Sequence, residues 1–252
     1  MNYTPQELMV ATAAREIRDG EVVFVGMRLP LIAFALAKRT HAPRAVGLFE
    51  SGIMRDEPAH ELLYTMGDPA NVCGAVWCTG MFNVMGLLAQ GAVQLGFIGG
   101  AQVDRFGNLN TSYIGDFHAP VTKLPGSGGA ADIAALAYRH VIIMEHEKRR
   151  LVERVDYITS PGYGTGARWR EQQGLPRGGP AALITTLGVV RFDPESREAY
   201  LASFHPRSSI DEVRANTGWD LRVAPGVSAT PLPTADELRV IREIDPKGFW
   251  TQ

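Results

Sequence analysis

The chain has 252 residues, 45% hydrophobic and 21% charged, with 25 lysines and arginines against 27 acidic side chains. This balance excludes a disordered chain, and a formal charge of −2 provides no basic field for nucleic acid or an anionic membrane. No run approaches the ~18 apolar residues of a membrane span, and Met1-Asn2-Tyr3-Thr4-Pro5 does not open a secretory signal, so a cytoplasmic protein is expected. Cys73 and Cys78 have no second pair nearby; they are expected to be core thiols, and no metal is expected.

Thr4-Pro5-Gln6-Glu7 supplies an N-cap, a first-turn proline and a capping-box glutamate, and Met9, Val10, Ala13 and Ile17 follow at helical spacing. This predicts an amphipathic first helix. Residues 21–26 then form a short apolar run rich in β-branched side chains, 30–39 an apolar helix, and 45–49 a second strand. Strand, helix and strand with short links make a βαβ unit with parallel strands, and Glu50 falls at the carboxyl end of the second.

Further strands are predicted at 95–98, 141–144 and 182–185, with a helix over about 129–138. Beyond them the runs shorten and alternate: 183–192 is expected to fold around Gly188, and 199–204 to pair with it. The glycine- and proline-rich residues 161–180 read as a long loop. Ser209 to Glu212 and Thr234 to Glu237 read as capping boxes, and the helix after the first is expected to end near Gly218. The fold class is α/β, an open and mostly parallel sheet flanked by helices with an antiparallel extension in the C-terminal third. One domain over 1–252 is expected.

In open α/β sheets, ligands bind beyond the carboxyl ends of the strands. Three motifs follow strands here: Glu50-Ser51-Gly52, Gly99-Gly100-Ala101-Gln102 and, slightly later, Gly126-Ser127-Gly128-Gly129. A carboxylate after Leu48-Phe49 is either ion-paired or used in chemistry, and position alone leaves both readings open. The glycine run precedes a helix, so its N–H groups could face an anion or oxyanion, or merely form a turn. Gln102 is a candidate for a substrate hydrogen bond, while Asp104 and Asn108 are explained by a polar turn around Gly107.

No Gly-x-Gly-x-x-Gly turn follows the first strand, and no Walker lysine motif or Gly-x-Ser-x-Gly elbow occurs. His118 and His146 read as satisfied surface or core histidines, and Lys148-Arg149-Arg150 as a solvated or interface face.

Seven ordered blocks resemble the β subunits of glutaconate-type family I CoA-transferases. They are Arg28-Leu29-Pro30-Leu31-Ile32, Glu50-Ser51-Gly52, Phe97 to Gln102, Ile114-Gly115-Asp116, Gly126 to Ala130, Glu145 to Arg150, and Asp156-Tyr157 to Ser160-Pro161-Gly162. The resemblance runs almost the full length and is looser at 55–94 and 164–170. It implies that Glu50 is the nucleophile; Gly126, Ser127, Gly128 and Gly129 are the candidates for binding CoA or an oxyanion, and Ser51 and Gln102 for contacting substrate. It also implies an α subunit as partner, an active site between the two subunits, a dicarboxylic acyl-CoA as substrate, and coenzyme A as a substrate rather than a resident cofactor. Close relatives of the family have become ring-opening hydrolases or decarboxylases, marked by loss of this glutamate, which is present here. A hydrolase or decarboxylase releases CoA or CO2 without an acceptor, and a purely assembling subunit turns over normally without Glu50.

Overall fold

The computed structural model describes residues 2–252. The chain divides into two compact units, one running to Phe97 and completed by Pro231–Gln252, the other spanning Ile98–Thr230. In chain order the second unit interrupts the first, whose N-terminal part is completed by the C-terminal segment.

Helix α1 (Pro5–Ala14) is capped as its sequence predicts: the Thr4 hydroxyl accepts from the Glu7 N–H at 3.0 Å and the Glu7 carboxylate from the Thr4 N–H at 2.9 Å. It is not amphipathic, however. Glu7 through Ala14 are all buried, because α2 (Leu29–Arg39) and the C-terminal helix both pack on it. Strand β1 (Val22–Phe24) pairs in parallel with β2 (Val46–Phe49), as expected of the βαβ unit. Beyond β2 lie β3 (Ile53–Arg55), a short α3 (Pro69–Val72), β4 (Trp77–Cys78), α4 (Met81–Ala89) and β5 (Leu95–Ile98).

The strand order in this unit is β5-β1-β2-β3-β4. The β2-β3 and β3-β4 pairs are antiparallel, so an antiparallel edge exists here as well as in the C-terminal third. Cys73 and Cys78 are corrected by the structure: both are free and exposed, not core thiols. Cys73 closes α3 and Cys78 sits on β4, whose two residues are both exposed, so neither position faces the core.

The central unit contains two small hairpins, β6 (Gln102–Val103) with β7 (Leu109–Asn110) and β8 (Tyr113–Gly115) with β9 (Pro120–Lys123). They are followed by α5 (Ala130–Leu136), β10 (Arg139–Met144), α6 (Trp169–Gln172), β11 (Pro180–Thr185), β12 (Gly188–Phe192), β13 (Ala199–Phe204), α7 (Ile210–Ala215) and β14 (Arg222–Ala229). The order of the long strands is β14-β13-β12-β11-β10. Strand β10 pairs in parallel with β11, and β11-β12-β13 are antiparallel as expected around Gly188.

Strand β14, parallel to β13, is legible only in the structure: Pro225-Gly226 reads as a turn, and the strand's side chains are mostly exposed. The Ser209 hydroxyl accepts from the Glu212 N–H at 3.1 Å without the reciprocal bond of a full capping box, and α7 stops at Ala215, short of Gly218.

Helix α8 (Ala235–Ile244) returns to the first unit with both halves of its capping box present. Arg15 and Glu237 pair at 2.7 Å, and Arg242 pairs with Glu7, also at 2.7 Å. These bonds fasten α8 to the N-terminal helix.

Candidate active site

Glu50 stands at the tip of the β2-β3 hairpin. Phe49 faces Ile53 across the pair, so Glu50, Ser51 and Gly52 make a three-residue loop of the kind closed by a turn and a left-handed glycine. The Gly52 N–H donates to the Phe49 carbonyl at 3.0 Å, and Gly52 has φ +97°. A Cβ at this position would lie 1.9 Å from the Thr79 carbonyl oxygen. The Thr79 N–H donates to the Gly52 carbonyl at 2.7 Å, so one strand of chain presses directly on the loop and only glycine admits it.

Ser51 holds the other side of the tip. Its hydroxyl donates to the Met66 carbonyl at 2.9 Å, and the buried Asn71 amide donates to the same oxygen at 2.7 Å. The bond commits Ser51 to positioning the hairpin. Glu50 itself is half-buried.

The segment behind the tip is organised by Arg55, only 1% exposed. Its guanidinium donates to the carbonyls of Glu57 (3.0 Å), Asn71 (2.7 Å) and Cys73 (2.7 Å), with longer bonds to Pro58 and Ala70. No carboxylate takes part in these bonds. Burial lowers the Arg55 pKa from its ordinary value, with partial compensation from the nearby thiols and Asp56. A fork of donors converging on carbonyls of one loop fixes its path as few other side chains could.

In the central unit the expected polar residues are buried and bonded to one another. Gln102, 5% exposed, donates to the Asp156 carboxylate at 3.1 Å and accepts from Asn110 Nδ2 at 2.7 Å and from the Asp156 N–H at 3.2 Å. That network gives Gln102 the task of fixing the 102–110 hairpin against the chain at Asp156. Asp104 accepts from the N–H groups of Phe106 and Asn108, which makes the turn around Gly107 that the sequence predicts. Asn108 then accepts from the N–H groups of Gly162 and Gly164, both at 3.0 Å, and ties down the start of the long loop. Burial raises the Asp104 pKa, opposed by its hydrogen bonds from Asn108 and the backbone.

The glycine run has divided duties. The Gly126 N–H donates to the Thr111 carbonyl at 2.8 Å with φ +94°, and the Ala130 N–H donates back to the Ser127 carbonyl at 3.0 Å. Gly126 and Ser127 therefore build the turn into α5. Gly128 is exposed, and its N–H has no partner among the described residues. His146 is a satisfied core residue: it meets the Thr185 and Thr217 hydroxyls and the Val213 carbonyl, and burial pushes its pKa down to about 4. His118 is exposed. Glu147 takes the side chains of Arg149 and Arg150, each at 2.8 Å, so that basic run is partly neutralised. Among the described residues, no group of three or more His, Cys, Asp or Glu is arranged to hold a metal ion, and no helix is long and apolar enough to cross a membrane.

The coenzyme A transferase family matches residues 7–216, a stretch that carries both the Glu50 hairpin and the glycine run. The chain belongs to that family. It is 41% identical to one of the subunits of the glutaconate CoA-transferase of Acidaminococcus fermentans, over all of this chain and 96% of that protein. It is 40% identical to the corresponding subunit of the 3-oxoadipate CoA-transferase of Pseudomonas knackmussii, over 97% of this chain and 94% of that one. The crystal structure of the Acidaminococcus fermentans glutaconate CoA-transferase superimposes with a TM-score of 0.94 at 37% identity, covering 100% of this chain and 98% of the other. The fold is thus the α/β fold of the family, with the mostly parallel sheet and mixed antiparallel strands described above.

Sequence reasoning singles out Glu50 and the glycine run but misses the supports of the hairpin tip. Arg55 gives no periodic signal, and Met66 contributes only a carbonyl. Arg170 escapes for the same reason: 6% exposed, it donates to the carbonyls of Arg177, Gly162 and Ala134 within 3.0 Å, and to those of Pro161 and Ala135 at longer range. A charged residue inside an irregular segment with few apolar neighbours is the one available hint.

Proposed function

We propose that this chain is the β subunit of a CoA-transferase that moves CoA between a dicarboxylic acyl-CoA and a carboxylic acid, with Glu50 as nucleophile and an α subunit as obligate partner in the cytoplasm. The observation that carries the reading is the seating of Glu50: a half-buried carboxylate on a hairpin tip clamped by Thr79 on one side and Met66 on the other. Family membership, and relatives that are each one subunit of a larger CoA-transferase, support the rest.

The chemistry follows from what a carboxylate can do. A Glu50 oxygen attacks the thioester carbonyl, and collapse of the tetrahedral adduct breaks the C–S bond, releasing CoA as thiolate and leaving a mixed anhydride between Glu50 and the acyl group. The thiolate then attacks the Glu50 carbonyl carbon and expels the acyl group as a carboxylate, which leaves Glu50 as a thioester of CoA. An incoming carboxylate runs the two steps in reverse, so thioester energy is conserved without ATP and the kinetics are ping-pong.

Carboxylate has a reference pKa of about 4.3 and thiol about 8.5, so the first step is uphill, and binding of the remote part of CoA must offset it. The 126–129 run is proposed to bind CoA or an oxyanion through the exposed Gly128 N–H, where losing one such donor typically costs about 2.7 to 4 kcal/mol. Gly126 and Ser127 shape the loop that presents it, Ser51 fixes the Glu50 tip, and Gln102 fixes its own hairpin. Water must be excluded or the thioester hydrolyses.

The test is exchange of label between acyl-CoA and free acid by the complex with its α subunit. Glu50→Gln is expected to reduce exchange by at least about a thousandfold with the complex still assembled. Exchange retained in Glu50→Gln would contradict the proposal and leave this chain a purely assembling subunit, while CoA or CO2 release independent of an acceptor would favour a hydrolase or decarboxylase.

A further inference from the structure

The loop from β1 to α2 leaves the same carboxyl edge as Glu50. The Val25 N–H donates to the Leu48 carbonyl at 2.9 Å, so Gly26, Met27 and Arg28 emerge beside the residues that carry β2 into its hairpin tip. Arg28 adopts φ +68° and ψ −120°, a conformation that residues with a Cβ rarely occupy. A strained arginine at this edge requires something to hold it.

Its guanidinium lies over the ring of Trp250, 5.5 Å from the centroid. Trp250 is itself fixed: its indole N–H donates to the Leu63 carbonyl at 3.0 Å, and its backbone N–H to the Asp245 carboxylate at 2.8 Å. The Leu63 carbonyl is three residues from that of Met66, which anchors Ser51, a chain distance of at most about 10 Å. One short loop therefore carries the Trp250 platform at one end and the Glu50 tip at the other. Arg28 is exposed, and among the described residues its guanidinium has no carboxylate partner and donates no hydrogen bond.

We infer that Arg28 is a specificity-determining residue that receives the remote carboxylate of a dicarboxylyl-CoA while the thioester carbonyl lies at Glu50. The inference rests on the reading of Glu50 as the acyl acceptor. A guanidinium held over an indole by the ring's charge distribution keeps its N–H groups available, and these can take a carboxylate through two parallel bonds. The phosphates of CoA offer similar oxygens, and the experiment separates them because its two substrates share the same CoA.

The assembled enzyme is assayed with glutaconyl-CoA and with pent-2-enoyl-CoA, which carries a methyl group in place of the second carboxylate. The ratio of their kcat/KM values is compared in wild type and Arg28→Gly, a substitution that suits the backbone conformation and so keeps the fold. The ratio is expected to fall about 10- to 100-fold, as for loss of hydrogen bonds to a charged group, with Arg28→Lys intermediate because it keeps the charge and loses the fork. A ratio unchanged in Arg28→Gly overturns the inference, whether both substrates suffer equally, as for a CoA phosphate contact, or neither does. If wild type transfers CoA to Glu50 from neither substrate, the reading of Glu50 fails first and this inference with it.

Discussion

Glu50 and Gln102 both follow an apolar strand at its carboxyl end, each in its own unit, and the fold treats them differently. Gln102 is 5% exposed, with its amide bonded to Asn110 and Asp156. Glu50 is half-buried on a tip whose neighbours, Ser51 and Gly52, hold the backbone in place. Position at a strand end therefore nominates a residue for chemistry without selecting it. The surroundings differ in one respect: Gln102 is closed off from solvent, while Glu50 keeps residual exposure on a rigid turn, which a residue that meets a substrate requires.

The comparison is broken most severely at Gly52. With φ +97° and Thr79 pressing on the loop, Gly52→Ala must move one strand or the other. A loss of at least about 3 kcal/mol is expected from overpacking and backbone strain together, with exchange activity falling along with it as Glu50 shifts. Denaturant unfolding checks the first effect and label exchange the second. Wild-type stability in Gly52→Ala would mean that the tip is soft and the clamp irrelevant.

The other side of the comparison is tested at Gln102. Gln102→Leu leaves Asn110 and Asp156 without a shared partner, and a loss of about 2 kcal/mol is expected, with KM for acyl-CoA little changed. A raised KM at undiminished stability would return Gln102 to the substrate, the role its place after Gly99-Gly100 suggests.

A pH-dependent effect comes from the buried histidines. His146 is pushed down to about 4 and His140 to about 3, in both cases by burial first, with the Arg170 charge adding to the effect on His140. Below about pH 6.5 the unfolded chain takes up protons that the folded chain refuses, so this stability is complete above 6.5 and is lost as pH falls toward 4 and 3. Between pH 7 and 5 the loss is about 2 kcal/mol per histidine. Urea unfolding of wild type against His146→Gln measures it, and an identical pH slope in the two proteins would refute the assignment to His146.

Much of the framework was legible because burial leaves a pattern. The alternation of β1, α2 and β2, the antiparallel fold around Gly188 and the capping boxes at Thr4 and Thr234 all follow from local chemistry that the tertiary structure leaves intact. The readings that failed are those that depend on distant neighbours. Helix α1 is covered on the face that its own spacing assigns to solvent, and Cys73 and Cys78 are exposed because the short edge elements that carry them face outward. Strand β14 pairs through its backbone with few buried side chains, so its sequence holds no alternation to read.

The site divides in the same way. Glu50 and the glycine run stand out as residue types in an unusual place. The supports of the tip act through backbone atoms, and a carbonyl such as that of Met66 leaves no mark on the sequence. Arg55 leaves one only as a charge at the end of the short strand β3.

The most direct measurement is intact and peptide mass spectrometry of the complex with its α subunit after incubation with glutaconyl-CoA and no acceptor acid. The account predicts a CoA adduct on the peptide containing Glu50, absent in Glu50→Gln and discharged when a carboxylic acid is added. Steady release of free CoA with no adduct on that peptide would contradict it.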